Sequence, residues 1–258
     1  RFDTWLMHVQ STPMKAVGMI GPWPGNRTLQ FTESYTLSES EQADYSAFVR
    51  AAVERYDGDG VSDMPGLTTP IKYWEIDNEP DLKNAPGLGR RARSGFSTPS
   101  QFARVIVLTA AAIREADPTA KILQGGIGRP AQIHGYEYMQ ALFSSPDVQE
   151  AVDILSFHVY HRGPDVVNLE SAIRRAQSVA KGKPVWLTEV SVPSVGKQMW
   201  ISEEWQAEMV FRTAVTALRL GTEKVFWHTL VDPPARIAAA ARSGSSSNSL
   251  FARQDDGS

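Results

Sequence analysis

Short apolar runs alternate with amphipathic stretches along this chain, and the two patterns differ in period. Six runs are rich in β-branched and aromatic residues and are bounded by turn-forming residues, which predicts β-strands. They lie at residues 17–20, 71–77, 121–124, 152–157, 185–188 and 225–228. Because these runs are apolar on both faces, they favour a parallel sheet covered by helices over a half-exposed antiparallel sheet.

Apolar positions spaced by three and four residues predict helices between the strands. The first helix covers residues 2–9. Two further helices begin after Ser38 and Thr98, each of which is followed three residues later by Glu or Gln, the pattern of a capping box. A fourth helix begins at Ser202, has acidic residues in its first turn and ends at Gly221.

The alternation of strands and helices predicts either a (β/α)8 barrel of the TIM type or an open doubly wound α/β sheet. Candidate catalytic residues follow several different strands, and this favours the barrel, whose active sites lie at the carboxyl ends of its strands. Six βα units are visible, so we expect an incomplete barrel that lacks its first two strands and its last helix. We assign residues 1–232 to this catalytic domain and residues 233–258 to a polar loop or tail.

Composition excludes several classes of function. The chain has 258 residues, of which 42% are hydrophobic and 21% charged, as in an ordinary globular protein with a large core. The formal net charge of −3 gives no electrostatic reason to expect nucleic acid or an anionic membrane as a partner. No apolar run approaches the roughly 20 residues that cross a bilayer. The absence of cysteine excludes disulfides and thiolate catalysis, and the oligomeric state is left open.

Two glutamates end two of the apolar runs. Glu79 lies in Asn78-Glu79-Pro80, directly after the second predicted strand, and Glu189 lies in the run VWLTEVSVP. Since side chains alternate along a regular strand, Asn78 and Glu79 face one pocket only if the strand ends or bulges there, and Pro80 favours such an end. Hydrolysis of a glycosidic bond needs two carboxyl groups, roughly 5 to 5.5 Å apart in a retaining enzyme. The pair therefore predicts a carbohydrate-cleaving site, and the alternative for Asn-Glu-Pro is a solvated turn.

Aromatic and imidazole side chains accompany the two glutamates. His158 and Tyr160 are two residues apart on one predicted strand, so both can orient a carboxylate; alternatively they are ordinary core residues. Trp227 ends the last strand, where its ring is a candidate platform for a sugar, although tryptophan is equally a core filler. Trp23 is a weaker candidate for an outer sugar site. Asp81 is expected to cap or solvate its loop.

Other polar residues have structural or metal-binding interpretations. Glu75 and Asp77 lie within a predicted strand and need partners if they are buried, so we interpret them as structural. His158 and His161, together with carboxylates, are a candidate metal set, but no metalloprotease-like spacing supports it.

The glycine-spaced loop YDGDGVSDMPG resembles half of a calcium-binding loop. Its acidic residues are Asp57, Asp59 and Asp63, and carboxylate oxygens are the ligands that Ca²⁺ prefers. A full EF-hand loop has a glutamate at its twelfth position, where this chain has Thr68. A structural calcium ion is therefore a side hypothesis, and the alternative is a turn-rich loop. No other cofactor is expected.

Four motifs in order resemble those of clan A glycoside hydrolases, with families 39 and 5 nearest. They are NEP at 78–80 after the fourth barrel strand, HVY at 158–160 after the sixth, TEV at 188–190 at the seventh and FWH at 226–228 at the eighth. The similarity extends from about Val17 to Phe251. The first two strands of such barrels normally contribute polar residues to the site, and they have no counterpart in this sequence.

The resemblance implies retaining hydrolysis of a β-glycosidic bond in a plant-type oligo- or polysaccharide. It implies that Glu79 is the acid/base and Glu189 the nucleophile. The other implied roles are binding of the sugar 2-hydroxyl by Asn78, orientation of the nucleophile by His158 and Tyr160, and stacking on the sugar by Trp227. It also implies a secreted or extracytoplasmic location, although no signal peptide is visible in this chain.

Two other functions stay open at this point. A carbohydrate-binding or catalytically inactive barrel would use Trp23 and Trp227 to bind sugar without cleaving it. A metal-dependent hydrolase or lyase would use His158, His161 and the nearby carboxylates. The sequence does not fix the sugar, the linkage, or the choice between exo and endo action.

Overall fold

The computed structural model describes residues 2–22, 37–82, 98–161, 166–192 and 202–230, and in this part of the chain helices and strands alternate. The helices are α1 (Phe2–Gln10), α2 (Glu39–Glu54), α3 (Pro99–Ala116), α4 (Ile133–Phe143), α5 (Pro146–Ala151), α6 (Val167–Ala180) and α7 (Glu203–Arg219). The strands are β1 (Val17–Ile20), β2 (Tyr73–Ile76), β3 (Lys121–Gln124), β4 (Leu155–Tyr160), β5 (Val185–Ser191) and β6 (Lys224–Trp227). A short 3-10 helix, Pro80–Leu82, follows β2.

The strands form two three-stranded parallel sheets, in the orders β1-β2-β3 and β4-β5-β6. Isolated parallel bridges between Leu123 and Ile154, and between Ile127 and Phe157, connect the two sheets along β3 and β4. Because all the strands are parallel, their carboxyl ends meet at one edge, and residues that follow different strands come close together there.

The central strand β4 is buried on both faces, but the two faces differ in polarity. Along β4, Leu155, Phe157 and Val159 belong to the main apolar cluster that the helices cover. The alternate residues Ser156 and His158 are also fully buried, and they face the other way, because side chains alternate along a strand. On this polar face the side chain of Gln124 donates to the carbonyl of Ser156 and accepts from its amide. The interior behind the carboxyl edge is therefore a hydrogen-bonded polar layer.

The six predicted strands are confirmed, but the bounds of four differ. The strand predicted at 185–188 extends to Ser191, and the strand predicted at 225–228 lies one residue earlier. The strand predicted at 71–77 is shorter, because the chain leaves the sheet after Ile76. The strand predicted at 152–157 lies at Leu155–Tyr160 instead, because α5 runs to Ala151 and residues 152–154 connect the two elements.

Three of the four helices that the sequence predicted, α2, α3 and α7, begin with a side-chain cap. Ser38 and Thr98 form full capping boxes, and Ser202 accepts a hydrogen bond from the amide of Trp205. Helices α4, α5 and α6 were not predicted, and none of them has a side-chain hydrogen bond at its N-cap. The start of α5 is marked in the sequence by Ser145 and by Pro146 at its first position, whereas α4 and α6 begin after Gln132 and Val166, which are not typical N-cap residues.

The described part of the molecule is an α/β structure with the arrangement of an incomplete barrel, as expected. Within the described ranges β1 pairs only with β2, and β6 pairs only with β5. Residues of β6 are partly or fully exposed, whereas most of β4 is buried. The expected tail at 233–258 lies outside the described residues, so the division at residue 232 stays a prediction. No helix among the residues described is long and apolar enough to cross a membrane.

We expect Ser38→Ala to lower the free energy of unfolding by about 1 kcal/mol, because it removes the cap of α2. The side chain of Ser38 accepts from the amide of Glu41, and the carboxylate of Glu41 accepts from the amide of Ser38 at 2.9 Å. Urea denaturation measures the change. Ser46→Ala, in the middle of the same helix, is the control, and an equal effect of both substitutions would contradict the capping argument.

Candidate active site

Glu79 lies where the chain leaves the first sheet. The amide of Asp77 donates to the carbonyl of Ile20 at 2.9 Å, and the amide of Glu79 donates to the carbonyl of Gly126 at 3.1 Å. Asp77 and Glu79 have positive φ values of 66° and 48°, which non-glycine residues rarely adopt. The regular strand alternation is thereby interrupted after Ile76, as the sequence predicted. The side chain of Glu79 is 24% exposed at the carboxyl edge.

Asn78 is half-buried beside Glu79, and its Oδ1 atom is buried. Among the described residues this oxygen has no hydrogen-bond partner. A buried amide oxygen without a partner costs free energy, so a group that donates a hydrogen bond to it would bind favourably.

Glu189 is positioned by irregularities on both sides of β5. The register between β4 and β5 shifts between Phe157 and His158, so that His158 lies opposite Glu189. A second shift, between Leu187 and Val190, interrupts the pairing of β5 with β6. β-bulges redirect side chains, and they are common next to active sites. The side chain of Glu189 is 21% exposed, similar to that of Glu79.

His158 lies between the two glutamates. Its side chain is fully buried, and Nδ1 lies 3.1 Å from Oε1 of Glu79 and 3.7 Å from Oε2 of Glu189. Burial alone would lower the pKa of His158, but the hydrogen bond to Glu79 and the charges of Glu189 and Glu75 raise it above its usual value. The carboxylates thus oppose the effect of burial, and a proton on Nδ1 is donated to Glu79.

Tyr160 contacts the second glutamate. Its hydroxyl donates to Oε2 of Glu189 and lies 3.2 Å from Nδ1 of His228. The resemblance assigned both His158 and Tyr160 to Glu189, whereas here they divide: Tyr160 binds Glu189, and the hydrogen bond of His158 goes to Glu79. His158 nevertheless stays within 3.7 Å of Glu189, so it contacts both glutamates.

The two carboxylates converge around this imidazole. A carboxylate oxygen of Glu79, a ring nitrogen of His158 and a carboxylate oxygen of Glu189 all lie within 4.8 Å of one another. Such a triad also has the spacing of a metal site, for which the coordinating nitrogen of His158 would have to be free of a proton. His161 does not join the group, because its Nε2 lies 3.1 Å from the hydroxyl of Thr213 on α7. The predicted metal pair of His158 and His161 is therefore not brought together.

A cavity of about 250 Å³ opens beside Glu79. Its walls come from the end of β4, the loop after β3 and the start of α6, with Glu79, His158, Tyr160, Arg129, Gln132 and Asn168 among them. A larger cavity, of about 810 Å³, lies between α3 and α4, and none of the candidate site residues lines it. We therefore place the candidate site at the smaller cavity, which Glu79 and His158 line.

Residues 40–231 match the sequence profile of the family described as glycosyl hydrolase catalytic core. The chain belongs to this family. No curated protein sequence matches the chain.

Solved structures of glycoside hydrolases share the fold of this family member. They include a glucosidase from Croceicoccus marinus (17% identity, TM-score 0.66, 88% of this chain and 44% of that one). A monomeric β-xylosidase from Caulobacter crescentus CB15 has 16% identity and a TM-score of 0.63 over 90% of this chain and 48% of that one. An endo-1,4-β-mannanase from Rhizomucor miehei has 16% identity and a TM-score of 0.62 over 94% of this chain and 69% of that one. The chain thus spans less than half the length of the first two.

Trp227, the candidate sugar platform, ends β6 and is half-buried. It pairs with Val190 in the register of β5 and packs partly against the main apolar cluster. These contacts place Trp227 near the end of β5, on the side of the sheet where Val190 packs. Trp23, the other candidate, lies outside the described residues.

Glu75 was interpreted as structural, and it lies buried beneath the site. The hydroxyl of Thr188 donates to its Oε1 atom at 2.9 Å, and Thr188 directly precedes Glu189. Burial raises the pKa of Glu75 above its usual value. The sequence showed that Glu75 needs a partner, but it could not show that this partner comes from another sheet. His228, which contacts Tyr160, was missed because only its position after Trp227 could have indicated it.

The expectation that Asp81 caps or solvates its loop is wrong, because the side chain is 1% exposed. Its carboxylate accepts from the amide of Gly128 at 2.8 Å and from the amide of Arg129 at 3.1 Å. These hydrogen bonds fix the loop after β3 to the segment that carries Glu79. Burial raises the pKa of Asp81 from 3.8 to about 6, although the two amides oppose this shift.

The proposed calcium loop is held by its own hydrogen bonds. Asp63 accepts from the amides of Gly58 and Gly60, and Asp59 accepts from the amide of Val61 at 2.7 Å. In and next to this loop, the described residues with metal-compatible spacing are Glu54, Asp57 and Asp59. Asp63 is therefore replaced by Glu54 in the candidate set, because its carboxylate stabilises the turn. Calcium binding itself stays a prediction.

The raised pKa of Asp81 predicts how stability depends on pH. The folded state binds the proton of Asp81 more tightly than the unfolded state does. The stabilisation that protonated Asp81 gives to the folded state is therefore fully present below pH 3.8 and is lost as the pH rises to about 6. A shift of this size corresponds to about 3 kcal/mol. We expect the free energy of unfolding of the wild type to fall by about 2 kcal/mol relative to Asp81→Asn between pH 4 and pH 6.5, because part of the effect lies below pH 4.

Urea denaturation at several pH values measures this difference. Asp147→Asn, which changes an exposed aspartate of α5, is the matched control and is expected to parallel the wild type. Parallel curves for wild type and Asp81→Asn would show that burial does not raise the pKa of Asp81.

Proposed function

We propose that this chain carries the catalytic centre of a retaining β-glycoside hydrolase that acts on a plant-type oligo- or polysaccharide. The observation that supports the proposal most is the convergence of Glu79 and Glu189, whose carboxylate oxygens lie within 4.8 Å of each other. Retaining enzymes place the two carboxyl groups roughly 5 to 5.5 Å apart, whereas inverting enzymes leave roughly 6.5 to 9.5 Å for a water molecule. The short separation favours retention.

Glu79 is assigned as the acid/base. Its Oε1 atom accepts the hydrogen bond from His158, which leaves Oε2 to carry the proton toward the glycosidic oxygen. As the bond between the anomeric carbon and this oxygen breaks, the proton neutralises the leaving group. In the second step the same carboxylate takes a proton from the water that attacks the glycosyl-enzyme.

Glu189 is assigned as the nucleophile. Its Oε2 atom accepts the hydrogen bond of Tyr160, which fixes the carboxylate and leaves Oε1 to attack the anomeric carbon. His158 lies 3.7 Å from the same Oε2 atom and confines the carboxylate from the other side. An ionised, oriented carboxylate beside a proton donor is the arrangement that a double displacement needs.

Sugar binding is assigned to Asn78 and Trp227. The partnerless Oδ1 atom of Asn78 accepts from a sugar hydroxyl adjacent to the anomeric carbon. The half-buried ring of Trp227 provides an apolar surface for the sugar ring. The similar structures are described as a glucosidase, a β-xylosidase and an endo-1,4-β-mannanase, which supports β-linked glucose, xylose and mannose as the first sugars to test.

A carbohydrate-binding or catalytically inactive barrel is the second candidate. In the described residues β1 and β6 each pair on one side only, so that part of the barrel wall beside the glutamates is not formed by them. Calorimetric binding of a xylan, mannan or glucan oligosaccharide, with no product after long incubation, would support this function instead.

Glu189→Gln is expected to reduce turnover of aryl β-glycosides to background, because an amide cannot form the glycosyl-enzyme. Release of the aryl group, followed by absorbance, measures the loss. Glu208→Gln, which changes an exposed glutamate of α7, is the control and is expected to retain activity. Turnover by Glu189→Gln at more than a small fraction of the wild-type rate would contradict the nucleophile assignment.

Glu79→Ala is expected to affect substrates according to their leaving groups. A poor leaving group needs the proton from Glu79, so its kcat/KM should fall by about 10²–10⁴-fold, whereas a dinitrophenyl glycoside should be cleaved far better. The slope of log kcat/KM against the leaving-group pKa measures the effect. An equal loss for every leaving group would argue against acid catalysis by Glu79.

Retention is tested separately by the stereochemistry of the product. Proton NMR at early times distinguishes the two anomers before they interconvert. We expect the β-anomer of the released sugar first, because two displacements restore the starting configuration. Early appearance of the α-anomer would indicate inversion.

A further inference from the structure

The cavity beside Glu79 has a definite orientation relative to the proposed chemistry. Glu79 contributes to its wall together with His158 and Tyr160, whereas Glu189 is not among the lining residues. If Glu79 protonates the glycosidic oxygen, the group attached to that oxygen lies on the Glu79 side of the anomeric carbon. The cavity, of about 250 Å³, is therefore on the leaving-group side. This assignment of the cavity to the leaving group rests on the proposed function.

The outer wall of this cavity is a well-fixed loop, residues 128–132. The buried carboxylate of Asp81 accepts from two of its amides. On the far side, the guanidinium of Arg175 donates to the carbonyl of Ala131 at 2.5 Å. A Cβ atom on Gly128 would lie 2.9 Å from atoms of Leu82, so the loop packs closely against the segment after Glu79. A loop fixed on both sides presents its side chains in a preorganised arrangement.

Arg129 is the charged side chain that this loop brings to the cavity. The residue is half-buried, and its Nη1 atom lies 3.4 Å from Oε1 of Gln132, a long and neutral contact. Across the described ranges no carboxylate lies within ion-pair distance of Arg129. By contrast, arginines at positions 50, 55, 114, 212 and 219 all have carboxylate partners. Arg129 therefore keeps guanidinium donors available at the cavity.

The other polar groups at the cavity wall fit the same kind of ligand. Gln132 and Asn168 are exposed amides that can hydrogen-bond the hydroxyls of a sugar. The guanidinium has the planar fork that binds a carboxylate through two parallel hydrogen bonds. We propose that this cavity binds the leaving group of the substrate and that Arg129 selects leaving groups that carry a carboxylate, such as a uronic acid residue.

The test compares two substrates that differ in this one charge. They are β-glycosides of the same sugar, whose leaving groups are 4-hydroxybenzoate and its methyl ester. The ratio of kcat/KM for the acid to that for the ester is measured in the wild type and in Arg129→Met. The intrinsic difference in reactivity between the two leaving groups cancels, because the same two substrates are used with both proteins. We expect the ratio to fall by about tenfold or more in Arg129→Met, because a charge-assisted hydrogen bond is lost.

Two further variants separate selectivity from folding. Arg129→Lys retains the charge but not the planar pair of N–H donors. Its acid-to-ester ratio should therefore lie between those of the wild type and Arg129→Met. Arg174→Met removes an exposed arginine of α6 outside the cavity, and its ratio should equal that of the wild type. An unchanged ratio in Arg129→Met, while the ester is still cleaved, would overturn the role of Arg129 and leave the hydrolase assignment intact.

A binding measurement covers the case in which neither glycoside is cleaved. Ligand-observed NMR then compares sodium 4-hydroxybenzoate with its methyl ester on the wild type, Arg129→Met and Arg174→Met. Preferential binding of the acid that is lost only in Arg129→Met would support the anionic leaving-group pocket, even though hydrolysis had failed. Equal binding of acid and ester to all three proteins would overturn it.

Discussion

The buried imidazole of His158 is the group on which the arrangement of the site depends. Two carboxylates within 4.8 Å of each other repel, and partial burial strengthens that repulsion. His158 bridges the pair, because its Nδ1 atom lies 3.1 Å from Oε1 of Glu79 and 3.7 Å from Oε2 of Glu189, and an N–H at this position offsets part of the repulsion. The ring has room only because residue 126 is glycine, since a Cβ atom there would lie 2.0 Å from Nε2 of His158. The glycine after β3 thus makes room for the cluster of Glu79, His158 and Glu189, which come from the ends of β2, β4 and β5.

Departures from regular strand geometry bring these groups together. A regular strand cannot direct adjacent residues such as Thr188 and Glu189 to the same interior, yet the register shift in β5 does so. The register shift between Phe157 and His158 likewise interrupts the regular alternation of side chains at the end of β4, and the positive φ of Glu79 does so after β2. Irregularities of this kind cost free energy, and they concentrate where function requires them.

The parts of the molecule that the sequence predicted are those with local signals. The strands follow from short apolar runs, and the capped helices follow from Ser38, Thr98 and Ser202. Glu79 and Glu189 could be found because each ends an apolar run. The burial of Asp81 could not be predicted, because its partners are amides 47 and 48 residues away in the sequence. For the same reason the division of His158 and Tyr160 between the two glutamates depends on a register that no local pattern encodes.

The contacts that form the site are also contacts between the two sheets. Glu79 follows β2 in the first sheet, whereas His158 and Glu189 belong to the second. The hydrogen bond from Thr188 to Glu75 repeats this connection one layer deeper. Apolar packing on the outer face cannot align the two sheets to a fraction of an ångström, because it lacks direction. Directional hydrogen bonds across the interior supply that alignment, so the polar groups that bring the carboxylates together also join the two halves of the fold.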